Sequence, residues 1–466
     1  MQRELSPLHF VGIGGIGMAA LAELLHAQGL EVSGSDLVAG ATFLRLQQLG
    51  IRVSIGHDAA SIAGAATVIR SSAIAQDNPE ITAARERGIP VIDRGALLAQ
   101  ILQAKEAIAI GGSHGKTTTS AMTAHLLESA GLDPTALIGG RVPRASGGAS
   151  PVRLGQGELI VAEVDESDGS FLLTRPALAV ITNIDPEHLD YYGSHEALLD
   201  AFVEFANSVP ADGTCLLGID HPGVVIIAPR IRRRKVCFGF GADADVRAES
   251  VETISGRQRC QVVLRAGDRF EFDLAMPGRH NILNALAAIA VGLERDISPS
   301  QLTEALSTFP GVARRFESKG QAGGIEVVDD YAHHPAEIRA TLAAARSVHA
   351  GPITAIFQPH RFTRTRDCWE EFLVAFDDAD RVVIAEIYPA SESPIPGIDG
   401  ASLAFALAKA GHDDAHFGGS LLDIERDWPA RFEPSELVLT LGAGDVFALG
   451  PRLLAACEGL ATGGVA

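Results

Sequence analysis

Short apolar runs alternate with helix-period segments along most of the 466-residue chain, the pattern of α/β architecture built on parallel sheets. The first run, Leu8–Val11, leads into a glycine-rich turn and a helical pattern from Met18 to Gln28. Gly29 closes that helix where a left-handed cap suits glycine. Strands are predicted at Glu31–Gly34, Thr67–Ile69 and Pro90–Ile92, and the block ends near Ala104. A second block opens with the strand Ala107–Ile110, a glycine turn and a helix from Thr117 to Leu127 closed by Gly131. Two longer strands follow, Leu159–Val164 and Ala177–Ile181. The segment Cys260–Leu274 alternates around Gly267-Asp268 and reads as a hairpin, and Asn281–Leu293 as a strongly apolar helix. The third block repeats the rhythm, with strands at Ile325–Val328, Ile353–Phe357, Arg381–Ile387 and Leu437–Leu441. Its helices are Pro335–Arg346, Ala401–Lys409 and Val446–Ala456. At roughly 100–200 residues per domain the chain divides into three, placed at 1–104, 105–313 and 314–466. The stretches Ala145–Pro151 and Arg232–Lys235 read as surface loops.

An apolar content of 47% supports full cores and argues against disorder. A net charge of −20 makes wholesale nucleic-acid binding a poor expectation. It leaves room for anionic substrates, since a phosphate site needs only a few local donors. The five cysteines are scattered with no CxxC pair, which fits reduced thiols better than a disulfide framework or zinc site. Met1–Pro7 lacks the charged and apolar regions of a signal peptide, and no apolar run reaches the ~18–20 residues of a membrane helix. The expected location is the cytoplasm, with no membrane partner.

The sharpest local signal is Gly111-Gly112-Ser113-His114-Gly115-Lys116-Thr117-Thr118, set between an apolar strand and a helix. Glycines let the backbone curl around a polyphosphate so that N–H groups face its oxygens, and the helix adds its positive end. Lys116 is placed to reach the β- and γ-phosphates, and Thr117 to offer its hydroxyl to Mg²⁺. The spacing is a variant, with three residues rather than four between Gly111 and the Gly115-Lys116 pair. The chain holds only five lysines, so an incidental lysine here is a poor explanation.

Magnesium needs oxygen ligands near those phosphates. Glu163-Val164-Asp165-Glu166-Ser167-Asp168 and Asn183-Ile184-Asp185-Pro186-Glu187-His188 both end strands, where ligands of parallel sheets gather. Glu163, emerging directly from an apolar strand, is the first metal candidate, and His188 is a candidate for a second ion or a phosphate. Near the start, Gly12-Ile13-Gly14-Gly15-Ile16-Gly17 follows a strand and precedes a helix, with Asp36 at the end of the next strand. This fingerprint suits any pyrophosphate, whether in NAD or in a nucleotide sugar, and does not choose between them. In the third block, Asp329-Asp330-Tyr331-Ala332-His333-His334-Pro335 and Phe357-Gln358-Pro359-His360-Arg361-Phe362-Thr363-Arg364 place histidines and arginines at strand ends. Arginine's planar fork suits carboxylate and phosphate recognition.

Taken in order, HFVGIGGIGM, GGSHGKTTT, EVDESDGSFL, TNIDPEHLDYY, GRHNILNALAA, GVARRFE, DDYAHHP, FQPHRFTRTR and LGAGD resemble the Mur ligases of peptidoglycan synthesis over nearly the whole chain. The resemblance implies a Rossmann-like N-terminal domain, a central P-loop ATPase-like domain and a C-terminal Rossmann-like domain. It implies ATP and Mg²⁺ (or Mn²⁺) as cofactors and UDP-N-acetylmuramate and L-alanine as substrates, in a monomer or homodimer. By the same resemblance Gly14, Gly15 and Ile16 would hold the UDP diphosphate, with Asp36, Ser71 and Ser72 lining that cleft. Lys116, Thr117 and Glu163 would handle ATP and the metal, His188 a second metal, and His280, Asn281 and Asn284 would lie by the adenine. Arg315 and Asp330 would meet the nucleotide from the closing side. Tyr331, His333, His360, Arg361 and Arg364 would position the amino acid and the muramyl carboxylate. Two departures stand out: Ser113 where the family carries Thr, and Phe362 where it carries Tyr. No lysine lies between Tyr191 and Arg234, where sister ligases place a modified one, which resembles the alanine-adding branch.

The implied chemistry activates the lactyl carboxylate as an acyl phosphate, which the amine then attacks. Three rival readings remain: a murein-tripeptide recycling ligase on the same sugar nucleotide, an NAD-dependent dehydrogenase using the first glycine loop, and a non-catalytic nucleotide-binding scaffold.

Overall fold

The computed structural model describes residues 5–143, 149–254 and 256–463, and holds three sheets. The chain divides into two compact units, one of residues 1–250, 260–272 and 283–310, the other of 251–259, 273–282 and 311–466.

The first unit begins with a five-stranded parallel sheet in the order Arg52–Ile55, Val32–Asp36, Leu8–Val11, Thr67–Arg70, Val91–Asp93. The helix Ile16–Ala27 leaves the central strand through the first glycine loop, and Gly29 ends it at φ +84°. The second sheet centres on parallel strands Thr214–Gly218, Leu178–Ile181, Glu106–Gly111 and Leu159–Glu163. These strands are buried almost throughout and read as continuous apolar runs, as strands covered on both faces should. The sheet continues to ten strands, with Thr135–Pro143 and Ala149–Arg153 at one end and Arg257–Leu264 and Arg269–Leu274 at the other. The last two are neighbours, joined by a tight turn in which the Leu264 N–H donates to Asp268 O.

The helix Ile16–Ala27 also packs against Thr135–Pro143 and Ala149–Arg153 of the second sheet. Glu23 binds Arg45 at 2.7 Å, and Ser150 donates to Glu23 while accepting from Arg45. One apolar core runs through both sheets of this unit, from Leu8 and Phe10 to Phe202 and Phe205.

Two loop expectations need correction. Ala145–Gly148 lies outside the described residues, but Ala149–Arg153 is a largely buried strand rather than a surface loop. Arg234 and Lys235 begin the strand Arg234–Gly239, and the basic run is spent on structure. Arg233 donates to Val209 O, Arg234 pairs with Glu294, and Lys235 donates to Ala228 O.

The second unit holds a six-stranded sheet in the order Glu317–Ala322, Ile325–Asp330, Leu437–Leu441, Ile353–Phe357, Arg381–Ala385, Ala415–Gly419, parallel except for the first pair. Residues of Pro335–Val348 and Gly400–Ala410 share one core, and those of Leu421–Asp427 and Leu449–Gly463 another. The segment leaving Ile353–Phe357, whose Phe372 joins the first core, and the terminal helix leaving Leu437–Leu441, in the second, therefore lie on opposite faces. In such sheets, ligands bind in the crevice outside the carboxyl ends at this switch point.

Candidate active site

In the first glycine loop, Gly12 (φ +80°) turns the chain and the Gly14 N–H donates to Asp36 Oδ2 at 2.8 Å. Asp36 thus braces the loop, and a Cβ on Gly14 would lie 2.8 Å from its carboxylate. Gly15 caps the helix with no side-chain partner for the first N–H groups, and Ile16 stands half-exposed beside it. Ser71 abuts Gly12, while Ser72 is exposed on the next loop. Gly14, Gly15, Ile16, Asp36 and Ser71 belong to the neighbouring carboxyl ends of three strands of this sheet, beside a helix's positive end.

The second loop is more heavily braced. Gly112 has φ +129°, and a Cβ there would lie 2.2 Å from Thr182 Oγ1. Gly115 has φ +81°, and a Cβ there would lie 2.5 Å from Asn284 Oδ1. Asn183 accepts the Ser113 N–H at its carbonyl and the His114 N–H at its side chain, while Thr182 and Asn183 both donate to His114 O. Ser113 Oγ accepts from the Asp185 N–H at 2.9 Å, so the hydroxyl kept at this position is in use. Hydrogen bonds from His114 and then His221 hold the Asp185 carboxyl far below the ordinary carboxylate range. Thr118 is buried in the first turn of the helix Lys116–Ser129, and Thr119 donates to Asn284.

The chemical groups gather at the mouth of this loop. Lys116 Nζ lies 2.8 Å from both Glu166 oxygens and 2.5 Å from Gly112 O. Burial works against its charge, but Glu166, Asp165 and Glu163 outweigh it and hold the ammonium above its usual value. Burial pushes Glu166 up to about 7, with Lys116 opposing and Asp165 adding. Thr117 Oγ1 donates to Glu163 Oε1 at 3.1 Å, and Glu163 Oε2 accepts the Gly139 N–H. The expected pair of hard oxygen donors therefore sits together, Thr117 in the first turn of its helix and Glu163 at its strand end. His188, in a left-handed conformation at φ +56°, converges with Glu166 and Glu187, their ligand atoms all within 4.8 Å. Glu166 is the residue that sequence reasoning did not single out; four carboxylates within six positions hid which of them meets the lysine.

In the second unit, Asp330 is buried at the end of Ile325–Asp330 and accepts the Phe316 and Ala332 N–H groups, both at 2.8 Å. Burial lifts it to about 6, with Arg315 pulling the other way. Arg315 lies over the Tyr331 ring at 5.2 Å, and Arg314 over the same ring at 5.0 Å. Burial, then Arg315, lowers His280 to about 4. Asn281 donates to Pro277 O, capping its own turn. His333 stands edge-on to Tyr331 and 6.0 Å from His360. His360 Nδ1 accepts from Arg364 at 3.2 Å, and the ring stacks on Tyr388. Burial lowers His333 to about 3 and His360 to about 4, so both imidazoles are neutral near pH 7. Arg361 takes φ +72° and its N–H donates to Tyr388 O. Tyr331, His333, His360 and Arg364 thus form one cluster, with Arg361 on its rim. A cleft of about 670 Å³ borders it at the switch point, lined by Gln358, Glu386, Tyr388, Ser420, Asp445 and Arg452. Sequence reasoning missed Tyr388 and the Gln358–Asp445 hydrogen bond of 2.7 Å, which join segments far apart in the chain.

Three family models match in succession: "Mur ligase family, catalytic domain" over residues 7–106, "Mur ligase middle domain" over 110–292 and "Mur ligase, glutamate ligase domain" over 314–444. A UDP-N-acetylmuramate–L-alanine ligase from Anaeromyxobacter dehalogenans is 50% identical over 97% of this chain and 98% of its own length. The crystal structure of the UDP-N-acetylmuramate-alanine ligase from Thermotoga maritima is similar at a TM-score of 0.83 and 32% identity, covering 96% of this chain and 98% of that one. A murein peptide ligase from Psychrobacter arcticus shares the fold at a TM-score of 0.72 and 24% identity, covering 97% and 98%. Family models and full-length relatives agree with the braced phosphate loop and its carboxylates: the chain belongs to the Mur ligases.

Proposed function

We propose that this protein joins L-alanine to the lactyl carboxylate of UDP-N-acetylmuramate at the expense of ATP, a step of peptidoglycan precursor synthesis carried out in the cytoplasm. The observation that carries this reading is the Lys116 ammonium held among Glu163, Asp165 and Glu166 at the mouth of a loop where Gly112 and Gly115 admit no side chain. Full-length relatives bearing that activity in their names support it. Among the described residues no helix is long and apolar enough to cross a membrane.

The assignment of roles is ours. The backbone of Gly111–Gly115, Lys116 and Thr118 takes the ATP phosphates, with Asn284 behind the loop and His280, Asn281, Arg315 and Asp330 assigned to the rest of the nucleotide. Thr117 and Glu163 fit Mg²⁺, and Glu166, Glu187 and His188 offer a second donor set of oxygens and nitrogen. Bound there, Mg²⁺ neutralises phosphate charge. Gly14–Ile16, Asp36, Ser71 and Ser72 take the sugar nucleotide; Tyr331, His333, His360, Arg361 and Arg364 take the amino acid and the muramyl carboxylate.

A carboxylate is a poor electrophile. Its oxygen attacks the γ-phosphorus, ADP leaves, and an acyl phosphate results. The alanine nitrogen then attacks the acyl carbon, loses its proton, and expels phosphate as the amide forms. Lys116 supplies fixed positive charge where the transferred phosphoryl group carries its negative charge. Neutral His333, whose Nδ1 donates to Tyr331 O, can accept a hydrogen bond from the incoming amine at Nε2 without repelling it, while His360 keeps its Nδ1 on Arg364.

A phosphate-release assay with UDP-N-acetylmuramate, ATP and a panel of alanine, serine, glycine and the murein tripeptide tests the proposal. Release driven most efficiently by L-alanine is expected. Release driven only by the tripeptide, or none with any of them, would overturn it.

A further inference from the structure

We propose that Arg94 is a positioning residue for the ligation, tying the helix of the first glycine loop to the acidic segment that holds Lys116. The inference rests on the assignment of the sugar nucleotide and ATP to those two loops. Arg94 opens the helix Arg94–Leu102 at the carboxyl end of the last strand of the first sheet. Its side chain is mostly buried, with Nη2 3.4 Å from Asp165 and 3.6 Å from Asp168. On its other side a Cβ added to Gly17, in the first turn after the glycine loop, would lie 3.0 Å from Arg94 Nη1. The guanidinium therefore lies between the first turn of the glycine-loop helix and the acidic segment.

Its neighbourhood is built to hold that position. A Cβ on Gly95 would lie 2.2 Å from the Ser170 Cβ, so the start of this helix sits directly on the acidic segment. Asp165 accepts the Ser167 N–H and Asp168 the Ser170 N–H, both at 3.0 Å, which fixes the turn in which Glu166 faces Lys116. Asp165 is shared by two cations, Arg94 at 3.4 Å and Lys116. Without Arg94, Asp165 and Asp168 lose one of the charges that balance them, and the segment loses this link to the glycine-loop helix. A purely architectural ion pair would lower the melting temperature and leave the folded enzyme's kinetics alone; a positioning residue moves kcat and KM.

The test compares R94A, R94K and D168N with the wild type at a temperature well below every melting transition, measuring kcat and KM for UDP-N-acetylmuramate and for ATP. Because a small misplacement of reacting groups is costly, R94A is expected to lose about 10–100-fold in kcat, with KM rising for both nucleotides. R94K, which keeps charge and stem, is expected between R94A and wild type, and D168N added to R94A is expected to cost little more. Kinetics of folded R94A within about twofold of wild type, or losses in R94A and D168N that multiply, would overturn the proposal. Should R94A not fold, R94K decides by the same criterion. Wild-type turnover with L-alanine is the control: its absence would sink the assigned function, whereas normal wild-type turnover with indifferent Arg94 variants would sink this inference alone.

Discussion

The two glycine loops of the first unit share a backbone plan and differ in everything that does chemistry. Each follows a central parallel strand, turns at positive-φ glycine (Gly12 in the first, Gly112 and Gly115 in the second) and starts a helix whose N-terminal residue is capped by glycine alone. Both present backbone N–H groups at a helix's positive end, an arrangement that suits an anion. The first has Asp36 folded back on its own Gly14 and a half-exposed Ile16 where the second has Lys116. The second adds an ammonium, a hydroxyl and two glutamates, and is pinned from behind by Thr182 and Asn183. Backbone N–H groups are enough to hold a diphosphate that does not react. Moving a phosphoryl group also requires fixed positive charge and oxygen donors for a cation.

The sharpest way to break this contrast is to remove the ammonium. K116A is expected to lower ligation by at least about 10³-fold in kcat, as loss of a fixed charge in phosphoryl transfer should, while UDP-N-acetylmuramate affinity by calorimetry stays near wild type. Parallel loss of both would mean that the two loops are not separate sites. Next in size, E163Q is expected to cost about 10²-fold and shift the Mg²⁺ dependence of phosphate release to higher concentration. An unchanged Mg²⁺ titration would remove Glu163 from the metal site.

Glycine substitutions sharpen the comparison through stability. G112A forces a Cβ to 2.2 Å from Thr182 Oγ1 at a φ that strains alanine, and is expected to cost at least about 1–3 kcal/mol in denaturant unfolding. G15A, whose nearest neighbour would be Gly12 O at 3.7 Å, is expected to change stability little. Equal effects would show the loops to be braced alike.

The smallest effect is in pH. His280, His333 and His360 have folded values depressed to about 4, 3 and 4. The unfolded state then binds more protons below about 6.5, so their contribution is present above that pH and is lost as pH falls toward 3. Asp330, raised to about 6, acts oppositely, losing stability as pH rises from about 4 to 6. Asp329 is raised by burial too, and with three histidines against these two carboxyls the melting temperature of the second unit is expected to fall with acidification, and H360Q to flatten the fall. A slope unchanged in H360Q would contradict the depressed imidazole.

Legibility in the sequence followed burial and locality. Strands covered on both faces, such as Ile353–Phe357 and Leu437–Leu441, were read to the residue because apolar runs mark them. Arg52–Ile55, Glu317–Ala322 and Ala415–Gly419 were not, since edge strands with polar, half-exposed positions carry no such pattern. The phosphate loop was legible because its glycines, lysine and helix are consecutive. Thr117 with Glu163 followed from strand-end placement. The partnership of Lys116 with Glu166 and the place of Arg94 were not legible, since they depend on which side chain of an acidic run faces which neighbour across 50 and 71 residues.

A crystal structure with Mg²⁺ and a non-hydrolysable ATP analogue tests the central claim most directly. The account predicts the β- and γ-phosphates on the backbone of Gly112–Gly115 against Lys116, with the cation on Thr117 and Glu163. A triphosphate seated on the Gly12–Gly17 loop, or a cation bound away from Glu163, would contradict it.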